Sequence, residues 1–165
     1  CVAWNDWGFA LGVTYETRAD IRDVAFTDCD VIFARNWAIG VHATDGGAIE
    51  DIRFERIGVD CPRISIDPVM GRLLARIDNQ KDCWSTDPGI AHVRGILLRD
   101  IDVRGQAVDH IDIQGNDPEH PIVEVRFENV RINGQALTAG QVTVNTHVQD
   151  WTIGSDNGGT AAHHD

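Results

Sequence analysis

Lysine is almost missing from this chain. Lys81 is the only one, and 14 basic residues stand against 26 acidic ones for a formal net charge of −12. Phosphate binding needs clustered positive charge to displace counterions, so this balance excludes nucleic acid as a partner. The acidic surface serves instead to keep the chain soluble. A run of about 18 apolar residues is also missing, which excludes a membrane-spanning helix, and no membrane is expected as a partner. No stretch keeps a helical period, so a helical architecture is excluded. No CxxC or Cys/His spacing suited to zinc occurs among the four cysteines, and the chain gives no reason to expect a metal or other cofactor. There is no initiator methionine: Cys1-Val2-Ala3-Trp4 reads as the tail of a preceding repeat, which points to a segment of a longer protein. No signal peptide lies in this stretch, and secretion stays open.

What the chain does contain is repetition. Phe9-Ala10-Leu11-Gly12-Val13 returns as Trp37-Ala38-Ile39-Gly40-Val41, and Ile21-Arg22-Asp23-Val24-Ala25-Phe26 returns as Ile49-Glu50-Asp51-Ile52-Arg53-Phe54. The period is about 28 residues, without a gap. The second half of the unit comes back at Val93–Leu98, at Ile122–Phe127 and, more weakly, at Val148–Ile153. Each unit holds two short apolar/polar alternations separated by turn residues such as Thr44-Asp45-Gly46-Gly47 and Gly115-Asn116-Asp117-Pro118. Strand, turn, strand and short strand at this period predict an all-β right-handed parallel β-helix, a solenoid of about five coils over residues 1–153, with a flexible tail over 154–165. A β-sandwich has alternating strands but no reason for gap-free equality. Leucine-rich repeats need a leucine and asparagine framework that this chain does not have. Open terminal coils also predict end-to-end self-association.

Coil alignment assigns each side chain a direction. Phe9, Leu11 and Val13, Trp37, Ile39 and Val41, Leu73, Ala75 and Ile77, Ile111 and Ile113, and Val142 and Val144 are expected to point inward. Cys29 falls in the inward column of Ile57, Ile101 and Val130, as a small buried hydrophobe. Cys1 falls in the same column one coil earlier, where packing is the commoner outcome than a bridge. Cys61 and Cys83 lie in insertions of the longer third coil, and a Cys61–Cys83 bridge is left open. Trp84, in the second insertion, has two readings: a platform for a sugar ring, or a plug that holds its loop to the core.

The alternate positions of the first strand form an outward strip: Ala10, Gly12 and Thr14, then Ala38, Gly40 and His42, then Leu74, Arg76 and Asp78, then His110, Asp112 and Gln114, then Thr143 and Asn145. Its early members are small enough to admit a flat ligand against the sheet. Its later members are ionisable, and carboxylates on neighbouring coils could stand ~5–10 Å apart, a range that spans both glycoside-hydrolysis geometries. His110, near Asp109 and Asp112, is a candidate acid or base. The competing reading is a set of surface ion pairs that keep the sheet soluble.

The inward Ile-x-x-Val-x-Phe pattern, Gly115-Asn116-Asp117-Pro118-Glu119-His120 and the stretch Val125-Arg126-Phe127-Glu128-Asn129-Val130-Arg131-Ile132-Asn133-Gly134 resemble pectin-lyase-like right-handed β-helices. More narrowly they are similar to the polygalacturonase-related proteins of glycoside hydrolase family 28. That family carries Asn-Thr-Asp, Gly-Asp-Asp, Gly-His-Gly and Arg-Ile-Lys on successive coils. Asp6 matches the first aspartate of the Gly-Asp-Asp feature, with Trp7 in place of the second. Arg35-Asn36 stands at the Gly-His-Gly position without the histidine, and Arg76-Ile77-Asp78 matches Arg-Ile-Lys except for its last residue. An aspartate in place of that lysine would repel galacturonate, so the resemblance implies a neutral polysaccharide rather than pectin. Taken with the outward strip and the insertion loop, it points to a glycoside hydrolase with Asp6 as one catalytic carboxylate and Asp78 or Asp112 as the second, Arg76, His110, His42, Trp7 and Trp84 as substrate-binding residues, and no cofactor. The alternative is a glycan-binding or adhesive β-helix without chemistry.

Overall fold

A computed structural model describes residues 1–5, 7–60, 73–81, 85–105 and 110–154. The described residues are all-β, with no α-helix and a single short 3-10 turn at Ala139–Gln141. Asp6, Cys61, Cys83, Trp84 and Asp109, and the predicted tail beyond Gly154, lie outside the described residues.

The strands form two sheets that the chain visits in alternation. One sheet contains β2 (Phe9–Tyr15), β5 (Trp37–Ala43), β7 (Leu73–Asp78), β9 (His110–Gln114) and β12 (Val142–Val144), in the spatial order β12-β9-β7-β5-β2. The other runs β1 (Val2–Asn5), β4 (Ala25–Ala34), β6 (Ala48–Asp60), β8 (His92–Arg104) and β10 (Ile122–Ile132), and β13 (Val148–Gly154) also pairs with β10. The short β3 (Ile21–Arg22) adds to β6. All these pairings are parallel. The exception is β11 (Gln135–Ala136), which turns back antiparallel on β10. Strand neighbours are therefore repeat neighbours: Leu11 faces Ile39, Cys29 faces Ile57, and Ile52 faces Ile96 across the longer third unit.

The long strands of the second sheet owe their shape to single left-handed residues. In β6 the fully buried side chains are Ile49, Ile52, Phe54, Ile57 and Val59. Strict alternation would put residues three apart on opposite faces. Between Ile49 and Ile52 stands Asp51 with φ 57°, and between Phe54 and Ile57 stands Arg56 with φ 53°. Each reorients the chain by one residue, so both neighbours face the core while the ladder continues. The same columns hold Asp23, Gly95, Glu124 and Asp150 in one case and Asp28, Asp100 and Asn129 in the other, all at positive φ. Aspartate, asparagine and glycine tolerate this region better than other residues, which is why they recur there.

The core is a column of stacked equivalents. Phe26 and Phe54 lie face to face, 5.0 Å between centroids, and Ile57, Ile101 and Val130 continue the column of Cys29, which is 5% exposed. On the turn side, the Asp45 carboxylate is fully buried and accepts hydrogen bonds from Ser85 Oγ and, at 3.1 Å, from Arg18 Nε. The Ser85 bond holds the Asp45 carboxyl below its ordinary range against the opposing effect of burial, with Arg18 adding to the shift.

The directions expected for the first strand need one correction. Leu11, Val13, Ile39, Val41, Ala75, Ile77, Ile111, Ile113 and Val142 belong to the core cluster, with Val144 packed against it. Ala38 and Leu74, expected outside, also belong to it, and Ala10 packs against it. Phe9 and Trp37, expected inside, stand apart from that cluster, although Trp37 is itself buried. Their rings stack on each other at 4.5 Å, and the ring of Phe9 covers Gly40 on the outer face. A large ring followed by alanine lets the small side chain enter the core while the ring stays outside, a swap that simple alternation does not anticipate.

Candidate functional site on the outer face of the five-stranded sheet

Parallel pairing sets the outward residues in rows across the strands. One row runs Gly12, Gly40, Arg76, Asp112 and Thr143. The next runs Thr14, His42, Asp78 and Gln114. The rows bring together four of the eight residues expected at a site, His42, Arg76, Asp78 and Asp112, and His110 stands two residues before Asp112 on β9, opposite Leu73.

At the β5–β7 junction the arrangement is a closed charge cluster. Asp78 is fully buried; its Oδ1 lies 2.6 Å from His42 Nδ1 and its Oδ2 accepts from Arg76 Nε. The backbone N–H of Gln80 also donates to Oδ1 at 3.3 Å. A carboxylate out of water survives only when its lone pairs are filled, and here both oxygens are engaged. His42 is 7% exposed, its ring lying 5.9 Å from Phe9 and edge-on to Tyr15 at 5.2 Å. The Arg76 guanidinium sits 5.4 Å from the centre of the Trp37 ring, a cation–π contact that fixes its head over the sheet.

Toward β9 and β12 the surface opens. Asp112 and His110 are half-buried and Thr143 is exposed. Gln114 Nε2 donates to Asp112 Oδ1 at 2.6 Å, and His110 Nε2 meets Thr143 Oγ1 across the strands. Beyond the strand ends, Gln80 Nε2 donates to Gly115 O at 2.8 Å, and Asn145 brackets Gly115 by giving to its oxygen at 2.7 Å and accepting from its N–H at 3.0 Å. These amide bridges tie consecutive turns together.

No family model, no curated protein and no solved structure matches this chain. The reading of the site therefore rests on its own geometry. Trp7 stands apart from the cluster, 64% exposed on the approach to β2, with the Arg35 guanidinium 5.4 Å over its ring. Trp4, 68% exposed, lies against Phe33 at 5.2 Å on the adjoining corner. Asp6 and Trp84 are outside the described residues. The room expected above the early glycines is taken up at Gly40, where a Cβ would fall 1.9 Å from Phe9 Cδ1. A flat ring does rest on the sheet there, and it is the protein's own. Phe9, Trp37, Tyr15 and Gln80 were not among the expected site residues; the pairing of Phe9-Ala10 with Trp37-Ala38 is the signal that could have found the first two. Among the described residues no cluster of His, Cys, Asp and Glu is arranged to hold a metal ion.

Proposed function

We propose that this chain is part of a right-handed parallel β-helix of the pectin-lyase-like kind, and that it binds a polysaccharide along the outer face of the five-stranded sheet. The solenoid reading is supported by the strict alternation of the chain between two parallel sheets in repeat register. Its hand follows the general rule that crossovers between parallel strands of one sheet turn to the right. The observation that carries the binding reading is the row Arg76, Asp112 and Thr143. It offers charged and polar groups on successive strands about every 4.8 Å, a spacing close to one sugar unit of an extended glycan lying across the strands. Exposed Trp7 adds an aromatic face of the sort that sugar rings stack on. The mixed charge of the row suits a neutral glycan better than a polyanion.

Binding leads over hydrolysis for a physical reason. Two-carboxylate hydrolysis needs both groups open to the substrate. Asp78 is committed to His42 and Arg76, which suits it to orienting those side chains, and Asp112 is the half-exposed carboxylate of the row. Hydrolysis is the second reading, with Asp112 and Asp6 as its pair and His110 and Arg76 holding the sugar. The test is calorimetric titration of the chain with neutral and acidic polysaccharides, with reducing-sugar release followed in parallel. Saturable binding to a neutral glycan, weakened at least ~10-fold by Arg76→Ala or Trp7→Ala, is the expected result. Binding to none of the panel overturns the reading, and sugar release lost in Asp112→Asn promotes the second one.

We also propose end-to-end self-association. Among the described residues, the exposed large hydrophobics Val2, Trp4, Trp7, Tyr15 and Ile32 belong to the edge strands β1 and β2, to the link between them, or to β4 beside β1. Unpaired parallel edges flanked by apolar side chains are templates for further pairing.

A further inference from the structure

Cys1 and Cys29 occupy equivalent places in consecutive repeats, one residue before the register pair Val2 and Asp30. Their sulfurs are 3.0 Å apart, and both thiols are free. Neighbouring parallel strands lie about 4.8 Å apart, inside the 4.4–6.8 Å window of Cα separations that a disulfide can span. The two side chains are already turned toward each other, so closure needs a shift of the sulfurs and no rearrangement of the backbone. The two thiols differ in access: Cys1 is exposed and Cys29 is buried, with its sulfur 3.2 Å from the carbonyl oxygen of Thr27.

We propose that Cys1 and Cys29 are a dithiol modification site that closes to a disulfide with a small disulfide oxidant, such as oxidised glutathione. Exposure sets the order of events. The Cys1 thiolate, after giving its proton to solvent, attacks one sulfur of the oxidant, forming a mixed disulfide and releasing one glutathione thiolate, which takes up a proton. The Cys29 thiolate, having lost its proton in turn, attacks the Cys1 sulfur of that mixed disulfide. The Cys1–Cys29 bond forms, the second glutathione leaves as a thiol, and the two electrons given up by the cysteines reside in the two glutathione thiols. Cys1 is thus the entry thiol and Cys29 the resolving one, since a bulky oxidant reaches only the exposed sulfur. The bond staples edge strand β1 to β4 and closes a loop one repeat long, which stabilises the folded chain chiefly by restricting the unfolded one.

The full chain is incubated with oxidised glutathione, alkylated, digested without reduction and mapped by mass spectrometry, beside a dithiothreitol-treated sample. The expected result is a Cys1–Cys29 linked peptide pair in the oxidised sample alone, with a melting temperature about 5 °C above that of the reduced one. In Cys29→Ser the expected product is a persistent glutathione adduct on Cys1, because the resolving thiol is gone. Recovery of Cys1 and Cys29 as separately alkylated peptides after oxidation overturns the proposal, as does a glutathione adduct on Cys1 that persists in the unsubstituted chain. The peptide map of the unsubstituted chain decides the matter even where Cys29→Ser folds poorly.

Discussion

Gly40 shows how much one atom can decide at the residue scale. It stands in an outward row where most side chains would be tolerated, yet a Cβ there would overlap the Phe9 ring. Gly40→Ala must displace Phe9 from its stack on Trp37, and a cost of about 1–3 kcal/mol is expected from overpacking. Urea unfolding measures the cost, and near-ultraviolet circular dichroism reports the displaced ring pair. Asp117 makes a second residue-scale case. Burial pushes its carboxyl up, but the hydrogen bonds from the side chains of His120 and Asn116 and the backbone N–H groups of His120 and Glu119 outweigh it and hold the pKa at about 2, below the ordinary 3.8. The unfolded chain then takes up its proton first as the pH falls. The stabilisation is complete above the ordinary value and is lost between there and about pH 2. Asp117→Asn should melt below the unsubstituted chain at pH 7, and the gap should close by pH 2. A gap that persists unchanged into acid would show that the carboxylate charge is not what stabilises this turn.

The two columns of left-handed residues govern the elements. Asp23 is an informative site, because it has φ 56° and its backbone N–H bonds to Glu50 O. Asp23→Gly should leave stability within about 0.5 kcal/mol, since glycine adopts this conformation without steric cost. Asp23→Val should cost about 1–2 kcal/mol, because a β-branched side chain is strained at positive φ. Equal effects of the two substitutions in thermal unfolding would contradict the role given to the column. The outer surface of the same sheet carries cross-strand ion pairs, among them Arg56 with Asp28 at 2.8 Å and Arg99 with Glu55 at 2.6 Å. These pairs sit on the sheet of long strands. The charge cluster of the other sheet is buried around Asp78 and is a different kind of structure, since loss of one partner there strands a buried charge.

At the scale of the whole molecule, the described exposed large hydrophobic residues gather at the β1 and β2 end, while Trp151 and Ile153 of β13 at the other end are only half-buried. Sedimentation velocity should therefore show a mass that grows with concentration. Paired charges at the apolar edge, Val2→Lys with Ile32→Lys, should reduce that growth at unchanged far-ultraviolet circular dichroism. A single concentration-independent species in the unsubstituted chain would remove self-association from the account. The formal charge of −12 opposes close approach, so added salt should strengthen the association.

The repeat alone determined which strands pair and in what register, because equivalent residues one period apart must stack if each is to bury its apolar face. Leu11 on Ile39, Cys29 on Ile57 and Arg76 beside Asp112 were all legible from alignment of the chain with itself. The tertiary structure decided what a side chain does once it has a neighbour. The rings of Phe9 and Trp37 stack on each other over Gly40, apart from the core cluster that Ala38 joins and Ala10 packs against, and Trp37 is buried in that stack. Asp78, read as an exposed carboxylate, went under cover because His42 and Arg76 on the same face could fill its oxygens. Periodicity carries the direction of a Cβ; burial and partnership depend on which side chains meet there, and that is a property of the assembled sheet.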